Sequence, residues 1–332
     1  MPQKRTILVI GSNSFSGSDF IDLLLEDAGN EVIGISRSPE KSAQFLPYKK
    51  RQNPAFKFFQ MDMNKDMPQL FELLASYKPV YIVNFAAQSE VAPSWEHPEH
   101  WFQTNTVALA NLTNYLRKQP YLKRYVHISS PEVYGTCVGA INEAAPLNPS
   151  TPYAASKAAA DLFLFTLVKN FQFPLIMIRA TNVYGAHQQL FKIIPRSVIY
   201  IKKGKTIELH GGGKAIKSYI HIRDVSRGEL AAMEKGQPGT IYHLSPDQGY
   251  AVRKVVQEIC QLMGQDFAAA TISVGERLGQ DAAYIIDSTK ARKELGWLPQ
   301  ISLAEGLGGV VKWVEGNWQE IQNQPLEYLH KE

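Results

Sequence analysis

The chain has 332 residues, 45% hydrophobic and 20% charged, a globular profile long enough for a main domain and a smaller lobe. Its net charge of +4, with both signs interspersed, gives no reason to expect nucleic acid or a membrane surface as partner. The two cysteines, Cys137 and Cys260, lie outside any metal-ligand spacing, so neither a disulfide framework nor a metal site is expected. No apolar leader precedes the first strand, no run approaches the roughly 20 apolar residues of a membrane helix, and a cytoplasmic protein is expected.

Residues 6–12 (TILVIGS) form a short branched apolar run that suits a buried strand, followed by an amphipathic helical pattern over 15–28 and a second strand over 31–36. The alternation continues with strands at 56–61, 80–87, 124–129 and 174–181 and helices at 67–77, 100–118 and 153–170. Strand and helix in turn over some 180 residues predict an α/β fold, a Rossmann-like doubly wound parallel sheet with helices on both faces. After Tyr184-Gly185 short strands (206–210, 219–222, 240–244) mix with Gly/Pro turns and two later helices (252–263, 303–319). The expected division is therefore a cofactor-binding domain over 1–184 and a smaller mixed α/β lobe over 185–332 that can return a strand to the sheet. The polar tail after Gln322 is expected to fray.

Gly11-Ser12-Asn13-Ser14-Phe15-Ser16-Gly17 joins the first strand to the first helix, where backbone N–H groups can cradle a pyrophosphate. Gly11 suits the tight turn and Gly17 the helix–strand packing, while Ser14 stands where the usual fingerprint has glycine. The second strand ends in Ser36-Arg37, without the carboxylate that holds the ribose of NAD, which favours NADP over NAD. Asp62, with Met63, is placed to reach the adenine. Phe85, Ala86 and Ala87 end the fourth strand with side chains that let a dinucleotide lie across the sheet.

Tyr153 and Lys157 are four apart on a helical pattern and so share a face. An ammonium there lowers a phenol's pKa from its reference of about 10, giving a base for a sugar hydroxyl while a nicotinamide takes the hydride. Ser130 can hydrogen-bond the same oxygen, and Glu132 adds a carboxylate two residues on.

The order of these segments resembles that of the extended short-chain dehydrogenases/reductases, and in particular the nucleotide-sugar 4,6-dehydratases of the dTDP-glucose and GDP-mannose types. Asn84-Phe85-Ala86-Ala87-Gln88-Ser89, Thr104-Asn105-Thr106, Ser129-Ser130-Pro131-Glu132-Val133-Tyr134-Gly135 and Arg179-Ala180-Thr181-Asn182-Val183-Tyr184-Gly185 carry the resemblance, with 276–281 and 287–297 late in the chain. It implies a tightly bound, recycled NADP or NAD and a nucleotide-diphosphate sugar held by Ser89, Glu132, Asn182, Lys192, His210, Lys217 and Arg277. It implies as well a homodimer, or a dimer of dimers, through the helices near 100–118 and 153–170. Their apolar residues Ala108, Leu109, Leu112, Leu116, Leu162, Phe163 and Phe165 could equally cover the sheet.

Oxidation at sugar carbon 4 by Tyr153, loss of water across carbons 5 and 6 with Glu132 as base, and hydride return to carbon 6 is the implied reaction. Pro131 stands where the dTDP-glucose type has an aspartate acid, so Glu132 would act alone. A 4-epimerase and a uronate decarboxylase remain as alternatives, with a non-catalytic NADP sensor as a fourth reading of the same fold. Nucleobase, sugar and pathway stay open.

Overall fold

The computed structural model describes residues 5–136, 139–275 and 283–331. Seven strands make the central sheet: β1 (Arg5–Ile10), β2 (Asn30–Ser36), β3 (Phe56–Gln60), β4 (Tyr81–Asn84), β5 (Arg124–Ile128), β6 (Leu175–Ala180) and β7 (Thr240–Leu244), numbered within this sheet only. They lie in the order β7-β6-β5-β4-β1-β2-β3, every pair parallel. The strand order reverses between β1 and β4, and in such sheets a ligand lies in the crevice beyond the strand ends at that point.

A parallel sheet is buried on both faces, which is why β1 is apolar at every position from Ile7 to Ile10. Ile7 and Val9 belong to one core with Phe20, Ile21 and Met233; Leu8 and Ile10 belong to the other with Leu70, Leu109, Leu112 and Leu164. The helices Phe15–Leu24 and Ile222–Lys235 thus cover one face, and Met67–Tyr77, Leu109–Leu116 and Pro152–Phe171 the other.

The expected helix over 100–118 is divided. Pro98–Phe102 and Leu109–Leu116 flank a π-helical stretch, Gln103–Ala108. Ala108, Leu109, Leu112 and Leu116 cover the sheet, with the partly buried Phe163 and Phe165 of Pro152–Phe171 packed against the same core, whereas Leu162 on that helix is 61% exposed.

β7 comes from the C-terminal half yet is the edge strand beside β6, and Ile222–Lys235 packs with it. Trp297 returns too: it is buried in the core of the main sheet and its Nε1 donates to the Asp224 carbonyl at 2.8 Å. The lobe itself is built on Ile193–Lys202, Val252–Leu262 and Leu303–Gly316, packed around Tyr184, Val198, Ile259 and Val310. Short strands complete it, including Ile216–Lys217, Ile207–His210 and the pair of Asn182–Tyr184 with Tyr219–His221. No helix among the described residues is long and apolar enough to cross a membrane.

The tail departs from expectation. Instead of fraying, its far end docks: Lys331 O accepts from Gln88 Nε2 at 2.6 Å and from Arg37 Nη1 at 3.2 Å. Side-chain packing secures it, with the Tyr328 ring 5.5 Å from Phe191 and the His330 ring 5.1 Å from Trp101.

Candidate active site

The loop after β1 is shaped by its neighbours. Gly11 has a φ of +85°, and a Cβ there would stand 2.8 Å from the Ala86 nitrogen, so only glycine lets β1 turn this close to the end of β4. Gly17 is as constrained, since a Cβ would meet the Gly11 carbonyl oxygen at 2.5 Å. The Ser14 hydroxyl accepts from the Gly17 amide at 3.0 Å and so caps the helix Phe15–Leu24. The cap replaces the missing middle glycine, and the helix N-terminus, with Phe15 buried and Ser16 half-buried, faces the crevice at the strand reversal. This loop fits a dinucleotide pyrophosphate.

Around it, Ser36 Oγ accepts from the Asn13 amide at 2.9 Å, which ties the end of β2 to the loop. The next residue, Arg37, is the one that reaches the Lys331 carbonyl. Asp62 Oδ1 accepts from the Asn64 amide at 2.9 Å, Met63 is buried beside it, and Phe85 is buried while Ala86 and Ala87 are half-buried. Asn105, in the π-helical stretch, binds both sides of the neighbouring segment: Oδ1 accepts from the Gln88 amide at 2.9 Å and Nδ2 donates to the Gln88 carbonyl at 3.0 Å. Its Nδ2 also reaches Ser156 Oγ at 2.9 Å, linking the β4 loop to the helix Pro152–Phe171. In the sequence Asn105 is only one member of Thr104-Asn105-Thr106; its role emerges in the fold.

That helix starts at Thr151, whose hydroxyl accepts from the Ala154 amide, with Pro152 in its first turn. It brings Tyr153 and Lys157 to the end of β5, where both are buried with Ser130. Ser130 hydrogen-bonds the Tyr153 phenol, and Glu132, half-buried on the following turn, bears on it electrostatically. Ser130, Glu132 and Tyr153 therefore meet, with Lys157 buried one turn along the same helix.

Their electrostatics correct one expectation. Burial pushes the Tyr153 phenol above its ordinary value; the Glu132 charge adds to this, and the Ser130 hydrogen bond opposes it. The ammonium of Lys157 is directed elsewhere, donating to the Ile128 carbonyl at 2.7 Å and lying 3.4 Å from His127 Nε2. Burial pushes Lys157 down to about 8, against the pull of Asp161. The raised pKa favours the neutral phenol, and a bound oxidised nicotinamide ring would supply the positive charge that favours phenolate.

Behind Lys157 runs a buried polar chain that the sequence did not disclose. Asp161, one turn further on the same helix, accepts from Ser129 Oγ and from Arg179 Nη2, each at 2.7 Å. Arg179 also binds the Tyr134 hydroxyl, which lies 2.7 Å from His243 Nε2. Burial, with Lys157 and Arg179 close by, holds the His127 imidazole neutral. The signal that could have found Asp161 is its spacing, since 153, 157 and 161 fall on one helical stripe.

The substrate residues are less united. Asn182 opens the strand beside Tyr219–His221 and its Nδ2 donates to the Ser218 carbonyl at 3.4 Å. Lys192 pairs with Glu90 at 2.7 Å, a tie between lobe and domain. His210 ends its strand with Nδ1 3.1 Å from the Gly275 carbonyl; Lys217 is half-buried and Ser89 exposed. Arg277, the rest of 276–281, and Cys137 lie outside the described residues.

The family model for GDP-mannose 4,6 dehydratase matches residues 8–309. The chain belongs to this family of extended short-chain dehydrogenases/reductases. A dTDP-glucose 4,6-dehydratase of Haemophilus influenzae is 30% identical over 92% of this chain and 97% of its own, and one of Neisseria meningitidis serogroup B is 29% identical over 96% of each. Among solved structures, the dTDP-glucose 4,6-dehydratase DesIV of Streptomyces venezuelae, with NAD bound, superposes with a TM-score of 0.87 at 30% identity over 95% of this chain and 98% of that one. A UDP-glucose 4-epimerase of Thermotoga maritima, with UDP-glucose, gives 0.86 at 25% identity over 94% and 99%. The expected fold, the nicotinamide cofactor and the activity, a nucleotide-sugar 4,6-dehydratase, accord with this family.

Proposed function

We propose that Tyr153, Ser130, Lys157 and Glu132 carry the dehydration. Tyr153 takes the proton of the sugar carbon-4 hydroxyl, guided by Ser130, and a nicotinamide cofactor held by the Gly11–Gly17 loop would accept the carbon-4 hydride. Lys157 holds the end of β5 through the Ile128 carbonyl, two residues before Ser130. Glu132 then removes the proton at carbon 5, made acidic by the new ketone, and returns it to the departing carbon-6 hydroxyl. A nicotinamide would return the hydride to carbon 6, a proton delivered to carbon 5 balances the one Tyr153 took from the carbon-4 hydroxyl, and the product is a nucleotide-bound 4-keto-6-deoxyhexose. The observation that carries the reading is Glu132 beside the Ser130–Tyr153 hydrogen bond. Oxidation alone needs no carboxylate there; a carbon acid and a leaving hydroxyl do.

A 4-epimerase is the second reading, favoured by Pro131, which offers no acid, and by the epimerase neighbour. We take the cofactor as NADP, from Ser36 and Arg37 with no carboxylate at the end of β2, although solved relatives carry NAD. The substrate lobe is the part of 185–332 left after β7 and Ile222–Lys235 join the main sheet. Phe102, Val107 and Leu162 are exposed apolar positions on the helices through which a homodimer would form. Incubation with dTDP-, UDP- and GDP-hexoses, followed by mass analysis of product and of cofactor released on denaturation, tests these points together. Loss of one water supports the dehydratase; unchanged mass with altered retention supports the epimerase.

A further inference from the structure

Three of the chain's eight histidines meet at one place that the dehydration does not use. His97 and His100 bracket the start of the helix Pro98–Phe102, and His330 arrives from the tail, with ring centroids 5.2 to 5.3 Å apart. Glu99 joins them, its Oε1 3.9 Å from His97 Nδ1 and 3.6 Å from His100 Nε2. The ligand atoms of His97, Glu99 and His100 all lie within 4.8 Å of one another. Donor atoms around a tetrahedral ion with bonds of about 2.0–2.1 Å stand about 3.3 Å apart, so small side-chain rotations would close these three on one ion.

The fourth residue gives the cluster its order. His100 turns Nε2 toward the carboxylate, and its Nδ1 is 2.9 Å from His330 Nε2. An imidazole that ligates through one nitrogen keeps its proton on the other and donates it to an acceptor that fixes the ring. His330 is placed as that acceptor, itself stacked on the buried Trp101 with the rings 12° from parallel. Two imidazoles and one carboxylate suit zinc, nickel or copper(II) better than magnesium or calcium, which take oxygen ligands. His97 and Glu99 are exposed, which leaves an entry path.

We propose that His97, Glu99 and His100 form a divalent transition-metal site, with His330 as the acceptor that orients His100. Because His330 precedes Lys331, which binds Arg37 and Gln88, an ion here fastens the tail across the end of the cofactor crevice. The sequence did not show the site because its fourth member lies 230 residues away from His100.

Full-length protein without an affinity tag, stripped with a chelator, would be titrated with zinc by calorimetry, and proteolysis of the tail followed with and without the ion. The expected result is one saturable equivalent, lost in the double variant His97→Ala/His100→Ala and weakened about 10- to 100-fold by His330→Ala. The ion should also slow cleavage of the tail. The exposed single variant His97→Ala, which has little packing to lose, should weaken binding as well. Absence of saturable binding, or equal binding by wild type and double variant, would overturn the proposal.

Discussion

Glu132 and Asp161 are two carboxylates with different duties near one phenol. Glu132 faces the reacting sugar in the proposed mechanism, so Glu132→Gln should still oxidise carbon 4 yet release no water. Reduced cofactor should accumulate at 340 nm in a single turnover, and a variant with full product formation would remove Glu132 from the mechanism. Asp161 works below the surface, accepting from Ser129 and Arg179. Asp161→Asn leaves a buried guanidinium without its counter-charge, a change that costs about 3–5 kcal/mol. Denaturant titration should show that loss, and a change under about 1 kcal/mol would mean that the pair is dispensable.

The elements that were legible in the sequence are those whose signal is local. β1, its glycine turn and the Tyr153 helix announce themselves by an apolar run, two glycines and a four-residue spacing, and each stands within a few residues of its expected bounds. What stayed hidden depends on distant partners. The π-helical stretch exists where Asn105 must reach both Gln88 and Ser156, and nothing within 103–108 alone demands it. The tail looks polar and free until Gln88, Trp101 and Phe191 are placed around it, and the pull of Glu90 on Lys192 is equally non-local. The site was legible to the same extent: Ser130, Glu132 and Tyr153 meet, while the Lys157 ammonium turns to the Ile128 carbonyl. Asn105→Ala should free Gln88 and cost about 1–3 kcal/mol of stability by leaving buried polar groups unpaired. It should also lower cofactor retention through gel filtration, and undiminished retention with unchanged stability would deny the link.

For the molecule as a whole, one buried group sets a pH dependence. Glu229, on the helix Ile222–Lys235 that packs against Phe15–Leu24, is 1% exposed, and neither carboxylate oxygen has a hydrogen-bond partner among the described residues. Burial, with Asp19 beside it, raises its pKa well above the ordinary 4.5. The folded state therefore keeps a proton that the unfolded chain has released. The stability from this group is full below about pH 4.5 and falls as pH rises through the folded value. Glu229→Gln should raise the melting temperature at pH 8 and change it little at pH 4. Each unit of the removed shift is worth about 1.4 kcal/mol, and equal effects at both pH values would contradict the assignment.

In the proposed reaction hydride leaves sugar carbon 4 and returns to carbon 6 of the same molecule while one water is lost. A nucleotide hexose deuterated at carbon 4 and turned over by the purified protein reports on this transfer. The product should be lighter by one water and retain the deuterium, now at carbon 6. A product of unchanged mass with deuterium still at carbon 4 would contradict it and make the protein an epimerase.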